Sequence, residues 1–391
     1  MLLIRNGNVY TMEGPVLQGC DILTENGKIK EIARDIQADC EVLDATGLTV
    51  IPGLVDAHCH LGMWENGMDE EGADGNEAVN PSTPSLRAID SINPRDEYFR
   101  EAREGGVTTA VTGPGSANVI GGLFAAIKTA GDRIDDMIVK SPCALKVAFG
   151  ENPKRVYKDQ KKSPTTRMAT ANILRKELVR AQEYMRKTTA AAGDPSKLPE
   201  RDLDLDVLAQ VLRGELLMKA HAHRADDILT AIRIAKEFNI RLSIEHCTEG
   251  HTIPQYLKDE DVKIVIGPLA IERCKIELRE LDIAAPGILE RNGIEFAICT
   301  DHPVVMEQYL LVSCALAVRE GLSEQAALRG VTINAARACG IDDRVGSIAP
   351  GKDADLVLFA GNPLDIRNKP RYVLIDGKVA YSAIDTNAKR V

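Results

Sequence analysis

The sequence predicts an α/β protein: a closed (β/α)8 barrel of the TIM type with a small β-sandwich built from both chain ends. Three observations predict it. Both ends are rich in short strands with tight turns, the middle alternates apolar runs with amphipathic helices, and about eight such runs recur over nearly 300 residues.

The elements follow in order. "LLIRNGNVYTM" holds two short strands around an Asn-Gly pair. "DILTENGKIKEIA" sets a second Asn-Gly between alternating apolar residues, a hairpin pattern. The C-terminal stretches "ADLVLFAG" and "YVLIDGKVAYS" repeat that texture, so residues 1–51 and 346–391 are predicted to form one discontinuous β-sandwich domain. Residues 52–345 form the predicted barrel, with strands "GLVDAHCH", "GVTTAVTG", "AAIKT", "CALKVAFG", "ELLMKAHAH", "IRLSIEHC", "VKIVIGP" and "IEFAICTD". Nearly continuous apolar strands followed by helices such as "ADDILTAIRIAKEF" and "APGILERN" predict a parallel sheet covered by helices. A helical insertion is predicted near 165–200, where Leu174, Leu178, Ala181 and Met185 share one stripe that packs on the barrel or on a second subunit.

Composition narrows the function. The 391 residues are 44% hydrophobic and 27% charged, ample for a sizeable core, and the formal charge of −10 argues against nucleic acid or an anionic membrane as partner. No apolar run reaches the length of a bilayer span, and "MLLIRNGNVYTMEG" lacks the layout of a signal peptide. Nine scattered cysteines read as free thiols of a reducing cytoplasm. A small-molecule substrate is the expected partner, and the inserted helix makes a homo-oligomer the expected assembly.

The seven histidines, His58, His60, His221, His223, His246, His251 and His302, all fall at or just beyond the C-terminal ends of predicted strands. Residues two apart on a strand share a face, so His58 pairs with His60, and Lys219 with His221 and His223. In a (β/α)8 barrel those strand ends form the active-site mouth. Taken singly, each is an ordinary core or loop histidine. Their clustering, with Asp301 closing "IEFAICTD", instead aims imidazoles and a carboxylate at one volume, a set suited to Zn²⁺ or a similar divalent ion. Cys59, Cys247 and Cys299 alternate away from that face and read as small core residues.

"VIPGLVDAHCHL" resembles the first-strand signature of the amidohydrolase superfamily, a hydrophobic run ending in His-x-His. "GVTTAVTG" is similar to its second strand, "LSIEHC" to the sixth-strand histidine, "CTDHP" to the eighth-strand aspartate, and "GSIAPGKDADLVLFAGNP" to the return into the small sandwich. The resemblance covers essentially the whole chain and is nearest the group of imidazolonepropionase and related metal-dependent dipeptidases. It implies His58 and His60 as metal ligands, His221 or His223 from the fifth strand, and His246 from the sixth. Asp301 would touch the metal or its water and act as general base. A histidine not spent on metal, with His246 among the candidates, would stabilise the oxyanion.

One ligand stays open. Many members carry a carboxylated lysine bridging two metals, and others use a glutamate; "LKVAFGENPKR" offers Lys146 and Glu151. Glu151 is favoured because it stands at the mouth, with Lys146 about 15 Å deeper along an extended strand. One ion or two is left open. Arg155, His223 and His251 are expected to bind substrate. The expected activity is hydrolysis of a C–N bond in a cyclic amide, N-acyl compound or dipeptide. Deamination of an amino-heterocycle is the alternative, and a non-catalytic barrel the remaining one.

Overall fold

The computed structural model describes residues 1–384, so the last seven residues of the predicted C-terminal segment, 385–391, lie outside the described residues. Eight strands form the central sheet: β1 (Leu54–Cys59), β2 (Val107–Thr112), β3 (Ile120–Lys128), β4 (Ile138–Ala148), β5 (Leu217–Ala222), β6 (Leu242–His246), β7 (Val262–Ile266) and β8 (Phe296–Ile298). They neighbour one another in chain order. Every residue of β1, β2 and β5 is buried, as expected of strands covered on both faces.

The barrel closes just beyond β8. The Asp301 N–H donates to the His58 carbonyl at 3.1 Å, and the His60 N–H donates to the His302 carbonyl at 2.9 Å. The Asp56 carboxylate reinforces this seam by accepting from the Thr300 N–H at 3.1 Å and from the Thr300 hydroxyl.

Not every strand is parallel. β3 runs antiparallel to both β2 and β4, which corrects the all-parallel expectation. Only residues 113–119 separate β2 from β3, too few for the crossover that parallel neighbours need. The pair is therefore a hairpin turned at the barrel mouth. β3 begins at Ile120, ahead of the predicted "AAIKT".

Between β4 and β5 the chain adds helices Glu151–Asp159, Arg167–Ala190 and Leu203–Leu212. The long helix buries Leu174, Leu178 and Ala181 of the predicted stripe, and Thr166 caps its start by accepting from the Ala169 N–H. Among the described residues no helix is long and apolar enough to cross a membrane.

A second eight-stranded sheet joins the two ends of the chain. Thr49–Pro52 pairs antiparallel with Leu356–Phe359, in the register Ile51↔Val357. The Asn26-Gly27 and Asp376-Gly377 pairs both have positive φ at each residue, the type I′ geometry that suits tight hairpins. Lys128, at the end of β3, reaches into this sheet. Its ammonium lies 2.6 Å from Asp355 and 2.8 Å from Asp353, all three buried. The "GKDADL" stretch thus fastens the sheet to the barrel.

Candidate metal centre

Strand alternation and the barrel's shape bring the histidines together. His58 and His60 leave the end of β1, His221 and His223 the end of β5, and His246 the end of β6. Asp301 follows β8, and both it and His246 have positive φ. Three groups among the described residues have the spacing to hold a metal ion, and two of them converge here: His58, His246 and Asp301, and His221, His223 and His246. Because they share His246, they form one continuous cluster.

Outer partners hold the rings. His60 Nδ1 donates to the Gly113 carbonyl at 2.6 Å, and His246 Nδ1 donates to the Gly267 carbonyl at 2.9 Å. His221 Nδ1 hydrogen-bonds Ser116 Oγ at 2.9 Å, and His223 Nδ1 hydrogen-bonds Thr248 Oγ1 at 2.7 Å. His58 Nδ1 lies 2.9 Å from the Glu245 carboxylate, which also pairs with Lys219 at 2.9 Å. Fixing Nδ1 leaves Nε2 to face the cluster, the arrangement seen around metal-ligating histidines.

Electrostatics follow from burial. Desolvation pushes the His58, His221 and His246 imidazoles well below the usual histidine range, and it brings His223 down to about 4. All four are neutral at pH 7, the form that ligates. Burial raises the Asp301 carboxyl, but His246 and His60 facing it outweigh that and hold it down at about 2. Its Oδ1 lies 3.2 Å from His60 Nε2 and 3.8 Å from His58 Nε2. The Nε2 atoms of His221 and His223 are buried and have no hydrogen-bond partner. Neutral imidazoles, orphaned nitrogens and one ionised carboxylate fit a divalent ion.

The structure places the two candidates of "LKVAFGENPKR" differently from the expectation: Lys146, on β4, stands nearer the cluster than Glu151. Lys146 is fully buried, and its Nζ lies 3.0 Å from His58 Nε2, inside the cluster. The lysine side chain adds its own length to its reach, and β4 is not extended through residue 151: the strand ends at Ala148 and the backbone turns at Gly150, where φ is +79°. Glu151 opens the next helix, its N–H donating to Glu277 Oε2 at 2.9 Å, and it belongs to neither convergent group. Burial brings the Lys146 ammonium down to about 8.

The expected substrate-binding residues divide. His223 lies within the cluster. His251 sits on the turn after β6, its Nδ1 donating to the Thr248 carbonyl at 2.9 Å, and Arg155 is exposed on helix Glu151–Asp159. Burial lowers His302 to about 3, and its Nδ1 accepts from the Glu307 N–H at 3.3 Å. Cys59, Cys247 and Cys299 are buried, with thiols pushed up by desolvation.

Several residues of the site escape a reading of the sequence. Ser116, Thr248 and the Gly113 and Gly267 carbonyls are of types found in any loop. Glu245 and Asp56 carried a signal, an acid inside an otherwise apolar strand. Glu277 carried none, because it lies in the irregular segment between β7 and β8.

Fold and site together define a barrel hydrolase whose mouth suits a divalent metal. Comparison with known proteins supplies the family. A profile described as the amidohydrolase family matches residues 49–385. A solved amidohydrolase structure from Thermotoga maritima MSB8 is 42% identical, with a TM-score of 0.95 over 98% of this chain and 100% of that one. The amidohydrolase tasK of Hapsidospora irregularis is 30% identical over 92% of this chain and 40% of its own length. A dihydroorotase of Ruminiclostridium cellulolyticum is 28% identical over 92% of this chain and 88% of its own. An adenine deaminase of Listeria monocytogenes is 25% identical, and the chain spans 54% of its length. The chain belongs to the amidohydrolase family and is a hydrolase of carbon–nitrogen bonds, a family that typically uses a divalent metal.

Proposed function

We propose that the chain is a zinc-dependent amidohydrolase cleaving the amide-type bond of a small cyclic amide, N-acyl compound or dipeptide. The observation that carries this reading is the convergence of His58, His60 and His246 on Asp301 and of His221 and His223 on His246, with the outer nitrogens of four rings already hydrogen-bonded. The dihydroorotase relative supports a cyclic amide.

His58, His60, His221, His246 and Asp301 would hold the metal. Lys146, in carboxylated form, takes the place first given to Glu151 if two ions bind. When bound, the ion acts as a Lewis acid on the scissile carbonyl and acidifies a water. Asp301, ionised at neutral pH, accepts the proton of the attacking water and returns it to the leaving nitrogen. The imidazoles, neutral and held from behind, keep their positions as charge develops on the carbonyl oxygen.

Two measurements test this. Protein purified without chelator should carry stoichiometric divalent metal and hydrolyse members of an amide panel. Asp301→Asn should keep the metal and lose at least a hundredfold in turnover, in line with the usual worth of a general base. Retained turnover in that variant would refute the role given to Asp301.

A second reading, release of ammonia from an amino-heterocycle, draws support from the adenine deaminase relative. An ammonia assay on the same panel separates the two. We also read the two-ended sheet as the family's small β-sandwich, with the domains 1–51 plus 346–391 and 52–345. A cytoplasmic site fits the nine free cysteines. A homo-oligomer fits the exposed Val179, Leu198 and Leu203 beside the inserted helices.

A further inference from the structure

Glu277 sits on the short 3-10 turn Ile276–Leu278, between β7 and β8, and is buried to 1% exposure. Nothing in the irregular segment around it calls for a buried acid. Its carboxylate nevertheless has a built seat. Oε2 accepts the Glu151 N–H at 2.9 Å. Gly150 has φ +79°, and a Cβ there would stand 2.7 Å from the same oxygen, so the backbone is shaped around the carboxylate.

The other oxygen points into the cluster. Oε1 has no hydrogen-bond partner and lies 3.6 Å from His221 Nε2 and 3.6 Å from His223 Nε2, both of them likewise unpartnered. A direct hydrogen bond is too short for this gap, since N–H···O bonds run to about 3.2 Å. Two ligand atoms each about 2.1 Å from a tetrahedral ion stand about 3.4 Å apart. Oε1 and the two Nε2 atoms that stand at about this distance from it, all three buried and unpartnered, match a divalent ion between them.

We propose that Glu277 is a metal ligand delivered by the β7–β8 loop, completing with His221 and His223 the site at the β5 side of the mouth. The inference rests on the metal-centre reading above and adds an anion that no barrel strand supplies. Lys275 has its ammonium 3.6 Å from the same Oε1 and is partly exposed, so it competes with the ion for that oxygen.

The test uses the full chain, stripped with chelator and titrated with Co²⁺, following the visible absorption of the bound ion and the total metal by elemental mass spectrometry. Glu277→Gln should weaken the more loosely held Co²⁺ at least tenfold and change its absorption spectrum. Lys275→Met should tighten it at least threefold. Wild-type affinity and spectrum in Glu277→Gln overturn the proposal, as does a variant whose only defect is a raised KM, which would make Glu277 a substrate contact. If Glu277→Gln does not fold, Lys275→Met decides alone, and unchanged or weaker binding overturns the proposal. Wild-type protein that binds no divalent ion removes the metal-centre reading as well, whereas equal binding by wild type and Glu277→Gln removes only this one.

Discussion

Replacing Lys146 with methionine should stabilise the metal-free protein while harming the loaded one. An unfolded lysine titrates near 10.5, and burial in β4 brings this one down to about 8. The difference corresponds to about 3 kcal/mol, at about 1.4 kcal/mol per unit, by which the charged amine disfavours the native state. Below pH 8 the group is charged in both states and the full penalty applies. Between pH 8 and 10.5 the native state releases its proton first, the unfolded chain holds more protons, and stability rises with pH. Methionine fills similar volume without charge. Metal-free Lys146→Met should therefore exceed wild type by about 3 kcal/mol at pH 7 and by about 1 kcal/mol at pH 9.5, read by urea denaturation after chelator treatment. A variant less stable than wild type at pH 7, or an advantage that does not shrink by pH 9.5, would refute the reasoning. The same shift leaves about a tenth of the amine neutral at pH 7, roughly 300-fold more than for an ordinary lysine, and only the neutral amine takes up CO₂. Bicarbonate should accordingly speed metal loading of wild type and leave Lys146→Met unaffected.

Other perturbations have equally definite outcomes. Lys128→Met leaves Asp355 buried without its cation and should cost about 3–5 kcal/mol in urea denaturation, the scale for half a broken buried pair. Ser116→Ala removes the partner of His221 Nδ1 and should weaken metal binding about tenfold or more, with little change in melting of the metal-free protein. Glu245→Gln discharges the group shared by His58 and Lys219, and should lower metal affinity by about 10- to 100-fold in a chelator competition assay.

Much of the site was legible because strands impose a period of two. His58 with His60, and His221 with His223, had to share faces once β1 and β5 were read as strands, and Asp301 followed from an apolar run ending in an acid. What failed was distance along the chain used as distance in space. Lys146 reaches the cluster by the length of its own side chain, and Glu151 turns out of line at Gly150. The reversed β3 was hidden because an apolar run has no direction; only the shortness of loop 113–119 betrays it. Glu277 was beyond reach, since an irregular segment has no period from which to infer a facing.

The seam that closes the barrel runs through the metal site. His58 and His60 offer their rings to the cluster and their backbone to Asp301 and His302, so His58, His60 and Asp301, the residues proposed as ligands, also rivet the seam. Parting β8 from β1 would dismantle the candidate metal site, and an ion bound there would hold that joint shut. Metal occupancy should thus be readable far from any substrate, as slowed amide hydrogen exchange at His60 and Asp301 and as resistance of the whole barrel to proteolysis.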